Sequence, residues 1–382
     1  MVPIISAPRL LGLERREHVS RSDERPLRVL VLPPLKWAAE AGDNAPGDTP
    51  AFEQLFTDLS DSGLDFYLLN PSRWPWNPFA GKHSLLCGID VVRALYVLVA
   101  GRRFDAVFTI TESPALLLLL LRRIFLFRVP VVLTDVAFAA GWQLRQRILN
   151  IVLPRADAIA VLTANHIDHI RQQWPCKAPI SVVPLHVDTR FFQPGPFVSG
   201  GPMLTVGDDV GRDYDTLVRA MGDLKIWLVA KTKAIPRSAE TDRRIAVIRG
   251  RLRWRELRQL YAEARFVVVP LAASVHASGI SSLLEAMAMG KAVIVSDSPG
   301  IRGAVEPDVT ALVVPCGDDA AMRRAIERLW NDDLLRQRLG AAARAFVEKN
   351  NSYAVTANRL AKLFYELHHA RCPPQTAEAL RM

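Results

Sequence analysis

Pro270 to Asp297, PLAASVHASGISSLLEAMAMGKAVIVSD, is the stretch whose residue types and spacing can do chemistry. An apolar run ends at Pro270, small residues follow, and Gly279 opens a segment of helical character that carries Glu285. Free backbone N–H groups at a helix start form an anion site, and a glycine there lets a phosphate approach closely. Glu285 lies within about two turns of that start. Its carboxylate can accept two hydrogen bonds from a ribose diol while phosphates occupy the helix end. The same residues also suit an ordinary strand–helix–strand unit with a solvated glutamate, and local physics leaves both readings open.

Such a site needs a sheet behind it. Apolar runs of strand length alternate with segments of helical spacing from Arg28 to Val183. The strands expected are Arg28 to Leu32, Phe66 to Leu69, Ala106 to Ile110, Val129 to Thr134, Ala158 to Leu162 and Ile180 to Val183. The intervening helices include a greasy one, Ala115 to Phe127, and one from His166 to Gln173. Apolar strands alternating with helices imply a parallel sheet buried on both faces. Phe192 to Pro202, FQPGPFVSGGP, breaks the rhythm and reads as a linker. The alternation then restarts at Met203, and three helical stretches follow residue 318. The fold class expected is α/β, with two doubly wound Rossmann-like domains facing across a cleft. Residues 1–26 read as a mobile arm, 27–191 as the first domain, 192–202 as the linker and 203–350 as the second domain. Residues 351–382 read as a helix and tail that can pack back on the first domain. In such folds ligands bind at the carboxyl ends of the strands, so the cleft is the expected active site.

At 382 residues, two domains are expected. Half the residues are hydrophobic and 23% are charged, which suits large buried sheets rather than disorder. The four cysteines lie far apart, with no CxxC or Cys/His cluster, so a structural zinc site is not expected and a reduced, cytoplasmic setting is. The first residues lack the charge and apolar core of a signal peptide. The run Ala115 to Leu121 is too short to span a bilayer. A net charge of +9 favours anionic partners such as nucleotide phosphates or acidic lipids. No aromatic-interleaved basic motif points to nucleic acid. Hydrolase triad signatures, Walker A and HExxH are also missing from the sequence.

The donor-like stretch closely resembles the signature of retaining glycosyltransferases of family four, which have the GT-B fold. The matching residues are Ser278-Gly279, Leu284-Glu285-Ala286-Met287-Ala288 and Gly290-Lys291 before an apolar strand. The likeness continues in Pro184 to Pro194 (PLHVDTRFFQP), Gly207 to Ala220 (GDDVGRDYDTLVRA), Leu257 to Pro270 and Leu312 to Asp318. It covers about 184 to 348, and the N-terminal half matches only in rhythm.

The resemblance implies a nucleotide-diphosphate sugar donor in the second domain, held by Lys231, Arg251, His276, Ser278, Gly279, Ile280, Ser281 and Glu285. Arg212 falls where the family has a lysine, and its forked guanidinium suits a diphosphate clamp. A loop arginine also suits a plain surface ion pair. Two positions depart from the pattern. Ala277 stands where many members have a first glutamate that contacts the transferred sugar, with His276 beside it as a substitute. Asp208 stands where many have arginine. The first domain is expected to hold a glycan or lipid-linked acceptor. There Asp135, ending the strand VPVVLTD, takes the place of a family histidine and can receive or orient the acceptor proton. A carboxylate capping a loop serves equally well for Asp135, and Glu112 is a second candidate. His166 and His169 read as a surface pair.

The reaction implied is sugar transfer with retention, by front-face displacement through an oxocarbenium-like transition state, without a metal. Asp208-Asp209 is the one sequence feature that could hold a cation. The alternatives are a nucleotide-sugar epimerase of the same fold and a degenerate sugar-nucleotide-binding protein. Peripheral attachment to the inner face of a membrane is a further expectation. Five arginines lie between Arg122 and Arg147 with Asp135 as the only acid, and Trp142, Leu144, Ile148, Leu149, Ile151 and Val152 form an apolar stripe.

Overall fold

The computed structural model describes residues 5–6, 25–32, 49–50, 52–69, 91–110, 113–134, 143–209, 211–231, 235–250 and 252–371. The first half builds one sheet in the order β1-β3-β2-β4-β5-β6-β7. Its strands are β1 (Ile5–Ser6), β2 (Leu27–Leu32), β3 (Leu64–Leu68), β4 (Ala106–Thr109), β5 (Val131–Thr134), β6 (Ala158–Val161) and β7 (Ile180–Val182). All pair in parallel except β1, which adds antiparallel to β3. Two residues of the expected arm therefore extend the sheet, and Arg25 is tied to Asp105 at 2.8 Å. The helices are α1 (Phe52–Asp61), α2 (Val91–Ala100), α3 (Ser113–Leu121), α4 (Gln143–Val152) and α5 (Asn165–Gln173).

The second sheet is wholly parallel, in the order β10-β9-β8-β11-β12-β13. Its strands are β8 (Met203–Val206), β9 (Ile226–Ala230), β10 (Ile245–Arg249), β11 (Val267–Val269), β12 (Val293–Ser296) and β13 (Leu312–Val314). Between and after them come α6 (Tyr214–Ala220), α7 (Arg237–Thr241), α8 (Trp254–Glu263), α9 (Ile280–Ala288), α10 (Asp319–Asn331) and α11 (Asp333–Asn350). Strands β4, β6 and β12 are buried at every residue, as strands covered by helices on both faces must be.

The last helix, α12 (Tyr353–Arg371), leaves the second sheet and packs on α1. Its Phe364 stands edge-on to Phe66 and Phe108, at 6.1 and 5.7 Å, inside the first domain's core. The chain leading into the linker, from Asp188 to Phe192, is held in place. Buried Asp188 accepts from the Arg190 and Phe191 N–H groups at 2.9 Å each. Arg344 of α11 donates to the carbonyls of Phe192, Ala288 and Thr189.

Two expectations need correction. The greasy helix stops at Leu121 rather than Phe127, because Leu126 adopts a left-handed backbone with φ +50° and turns the chain toward β5. His166 is not a surface residue. It is 3% exposed at the start of α5, and its Nε2 meets the Val275 carbonyl of the other domain at 2.8 Å. Burial lowers its pKa, so the neutral ring is favoured and donates this bond.

Candidate active site

In the second sheet the strand order reverses between β8 and β11, which is where a doubly wound sheet opens a crevice for a ligand. The turn after β8, Gly207 to Asp213, and the loop after β11, Pro270 to Gly279, flank that point. They are stitched together. Asp213 N–H donates to Pro270 O at 3.1 Å and Ala272 N–H to Gly211 O at 2.9 Å. The loop is fastened from behind by Ser298, whose single hydroxyl proton is shared between the carbonyls of Ala272 and Ser274, each 3.0 Å from Oγ. Gly300 lets this happen, since a Cβ there would stand 2.1 Å from the His276 carbonyl oxygen.

Gly279 precedes α9 with φ +76°, a conformation that favours glycine, and no side chain caps the helix start. The first-turn N–H groups of a helix have no partners within it, so this end is able to receive an anion. Arg212 lies against it. Its Nε donates to Asp209 at 3.0 Å and its Nη2 to Ser282 Oγ at 2.7 Å. A Cβ on Gly279 would sit 3.3 Å from Nη1, and a Cβ on Gly207 would overlap the guanidinium at 2.2 Å. Nη1 itself is buried without an acceptor. A buried donor without a partner costs about 1–3 kcal/mol, and a phosphate oxygen at the helix start would remove that cost.

Glu285 sits in the second turn of α9 and is buried, which removes the reading of a solvated glutamate. Its Oε2 accepts from Tyr261 Oη at 2.9 Å. Burial pushes its pKa up to about 7, although the Tyr261 hydrogen bond and the Arg212 charge pull the other way. Burial also raises the Tyr261 phenol, so that group stays a proton donor.

The other expected residues fall into three groups. Ser278 and Ile280 are buried and Ser281 is exposed around the Gly279 turn, and His276 is half-buried with its N–H on Ser274 Oγ. Lys231 is exposed at the end of β9 and is taken up by Asp208, Nζ to Oδ2 2.7 Å. Asp209 is held by Arg212; burial works against its charged form, but the Arg212 partner wins and its pKa is lowered. Both acids of the Asp208-Asp209 pair are thus engaged by cations. Asp135, Glu112 and Arg251 lie outside the described residues. Sequence reasoning missed Tyr261, Ser282, Ser298 and the contact of His166. A hydroxyl three residues after Gly279 was the one legible hint, for Ser282.

Residues 212–332 match the family profile described as Glycosyl transferases group 1. An 82-residue segment is 33% identical to phosphatidyl-myo-inositol mannosyltransferase of Mycobacterium leprae, covering 22% of this chain and 22% of the relative. The fold resembles sucrose-phosphate synthase of Thermosynechococcus elongatus, with a TM-score of 0.71 at 19% identity over 90% of this chain and 100% of that one. It also resembles HepE of Anabaena, solved with UDP and glucose, with a TM-score of 0.63 at 14% identity over 89% and 99%. Two Rossmann-like sheets in this arrangement are the GT-B fold, and the segment that carries Arg212, Gly279 and Glu285 is the one that resembles the group 1 glycosyltransferases.

Proposed function

We propose that this protein transfers a sugar from a nucleoside-diphosphate donor to an acceptor hydroxyl, with retention of configuration. The observation that carries the reading is Arg212 Nη1, buried and unpartnered beside the uncapped helix start at Gly279. As the glycosidic bond to the donor breaks, negative charge grows on the leaving diphosphate. The Arg212 guanidinium and the first-turn N–H groups of α9 are fixed in place to meet that charge. Asp209 and Ser282 hold the guanidinium, so little reorganisation is needed during the reaction. Glu285, ionised, accepts from the ribose hydroxyls and sets the nucleoside end. The loop from Ala272 to Ser278 covers the sugar, with His276 and buried Ala277 at the position where the family carries an acid. The chemistry runs without a metal, because Asp208 and Asp209 already neutralise Lys231 and Arg212.

The relatives guide the choice of ligands. HepE was solved with UDP and with UDP-glucose, and the mycobacterial relative is named as a mannosyltransferase of phosphatidyl-myo-inositol. UDP, GDP and ADP with their glucose and mannose conjugates therefore form the first panel, read by thermal shift. One nucleoside diphosphate should raise the melting temperature with saturation. Sugar release from the matching donor, with and without saccharide and lipid-linked acceptors, then tests transfer. Binding without turnover would favour a binding protein, and donor conversion without acceptor would favour an epimerase. No response to any nucleotide would overturn the reading.

A further inference from the structure

Among the described residues nine large apolar side chains are exposed, and six of them belong to the first domain: Leu95, Val99, Ile124, Phe125, Leu126 and Ile151. Val99, Ile124 and Leu126 are 73%, 75% and 72% exposed, which is far more than a helix edge normally leaves bare. Hydrogen bonds join their elements into one surface. Arg102, just past α2, donates to Phe125 O at 2.6 Å. Arg122, ending α3, donates to Arg155 O at 2.8 Å, and Arg155 donates to Ile151 O at 2.7 Å. The turn from Arg122 to Phe127 is the crest, and the left-handed Leu126 puts three apolar residues in a row on it. Of the expected α4 stripe Ile151 reaches this face, whereas Leu149 and Val152 are buried in the core.

Among the described residues of these elements the charge has one sign. Segments 91–104, 113–134 and 143–156 contain nine arginines and no aspartate or glutamate. Arg102, Arg103, Arg123, Arg128 and Arg147 are exposed. The acids that border the face are already paired, Asp105 with Arg25, and Asp157 with Arg371 and with Arg122 of the face itself.

We infer that this face docks the protein on an anionic lipid bilayer, with Ile124, Phe125 and Leu126 entering the headgroup boundary and the exposed arginines meeting lipid phosphates. Apolar insertion and a cationic rim are what such a surface rewards together. A second copy of the chain is a poor occupant, because a two-fold contact would set the same arginines against each other. The crest lies at the amino ends of the strands, between the end of α3 and the start of β5, so docking leaves the carboxyl-end crevice open. The inference goes beyond the transferase reading and does not depend on it.

The test is co-sedimentation of the full chain with phosphatidylcholine vesicles and with mixed phosphatidylglycerol–phosphatidylcholine vesicles, at low and high salt. Binding is expected only to the mixed vesicles and should weaken with salt. Ile124→Glu/Leu126→Asn and Arg103→Glu/Arg123→Glu should each cut partition by about tenfold or more, given the contribution of each surface cation. Both pairs are exposed, so melting temperature and nucleotide binding should be unchanged. Wild-type protein left in the supernatant at low salt would overturn the inference, as would two variants that pellet like wild type. Sedimentation velocity supplies the last check: a dimer abolished by Ile124→Glu/Leu126→Asn would assign the face to a second copy instead.

Discussion

Tyr261 holds Glu285 from behind, its phenol donating to Oε2 at 2.9 Å from the neighbouring helix α8. The carboxylate is therefore aimed by a group that stays protonated at neutral pH. It is also kept in a place that disfavours its charge, with a pKa near 7.

This arrangement sets stability against binding. A glutamate raised in the folded state binds more protons there than in the unfolded chain. Its contribution is therefore best at low pH and is lost as pH climbs through about 7. Glu285→Gln should stabilise the free protein at pH 8 by as much as about 3 kcal/mol and by almost nothing at pH 4. The same variant should weaken nucleotide binding at pH 8 by about 1.5–3 kcal/mol. Denaturant unfolding across pH, with calorimetric titration of the nucleotide, checks both. A variant that loses stability at pH 8 and binds normally would remove Glu285 from the donor site.

Arg212→Ala should lower kcat more than it raises KM, since the leaving charge peaks late in the reaction. Arg212→Lys should recover little, because one ammonium cannot serve Asp209, Ser282 and a phosphate along the guanidinium's fork. Steady-state rates with varied donor separate the outcomes. A change in KM alone would make Arg212 a ground-state binder.

Gly300→Ala places a methyl group 2.1 Å from the His276 carbonyl, and backbone cannot give way as a flexible side chain does. The variant should lose about 1–3 kcal/mol of stability, the usual cost of overpacking, and lose donor affinity with it. Unfolding curves and nucleotide titration measure the two losses. Normal affinity would separate the loop's position from donor binding.

His166 links the domains in its neutral form. Its lowered pKa means that its contribution is present above the ordinary histidine range and is lost as pH falls through the lower folded value. His166→Phe should keep each domain folded but loosen α5 from the loop at Val275. Hydrogen exchange at residues 274–278 should rise in the variant, and in wild type it should rise on acidification. Equal protection in both would confine His166 to packing.

Chelation should leave transfer unchanged, because Asp209 and Asp208, the acids in the turn beside the α9 start, are already paired with Arg212 and Lys231. Activity in the presence of excess chelator, and its response to added magnesium, is the measurement. A strict magnesium requirement would mean that one of those ion pairs opens on donor binding.

The alternation of apolar strands and helices was legible because both sheets are buried on two faces, so nearly every strand residue had to be apolar. Gly279 and Glu285 stood out locally as a glycine at a helix start and a carboxylate two turns in, but local physics left an ordinary strand–helix–strand unit equally open, and the family resemblance singled them out. Tyr261 was not legible, since it lies 24 residues before Glu285 on a separate amphipathic helix and looks like any core aromatic. The partners of Asp208 and Asp209 were hidden too. Neighbouring residues send their side chains to different cations, and only the closed turn decides which. His166 looked exposed because the group that buries it belongs to the other domain, 109 residues on. The end of α3 was missed because apolar periodicity runs through Phe127 while the backbone at Leu126 turns left-handed.

The crossing of α12 onto the first domain has a consequence for the order of events during synthesis. Tyr365 Oη donates to the Gly63 carbonyl across 302 residues of chain, and Phe364 fills the gap between Phe66 and Phe108. The first sheet leaves the ribosome well before that plug exists. At about 5–20 residues per second, it waits on the order of ten seconds or more with Phe66, Phe108 and Leu59 uncovered. The second domain can close its own core in that interval. The domain made first is therefore the one finished last, and it is the nascent first domain that a chaperone would have to shield.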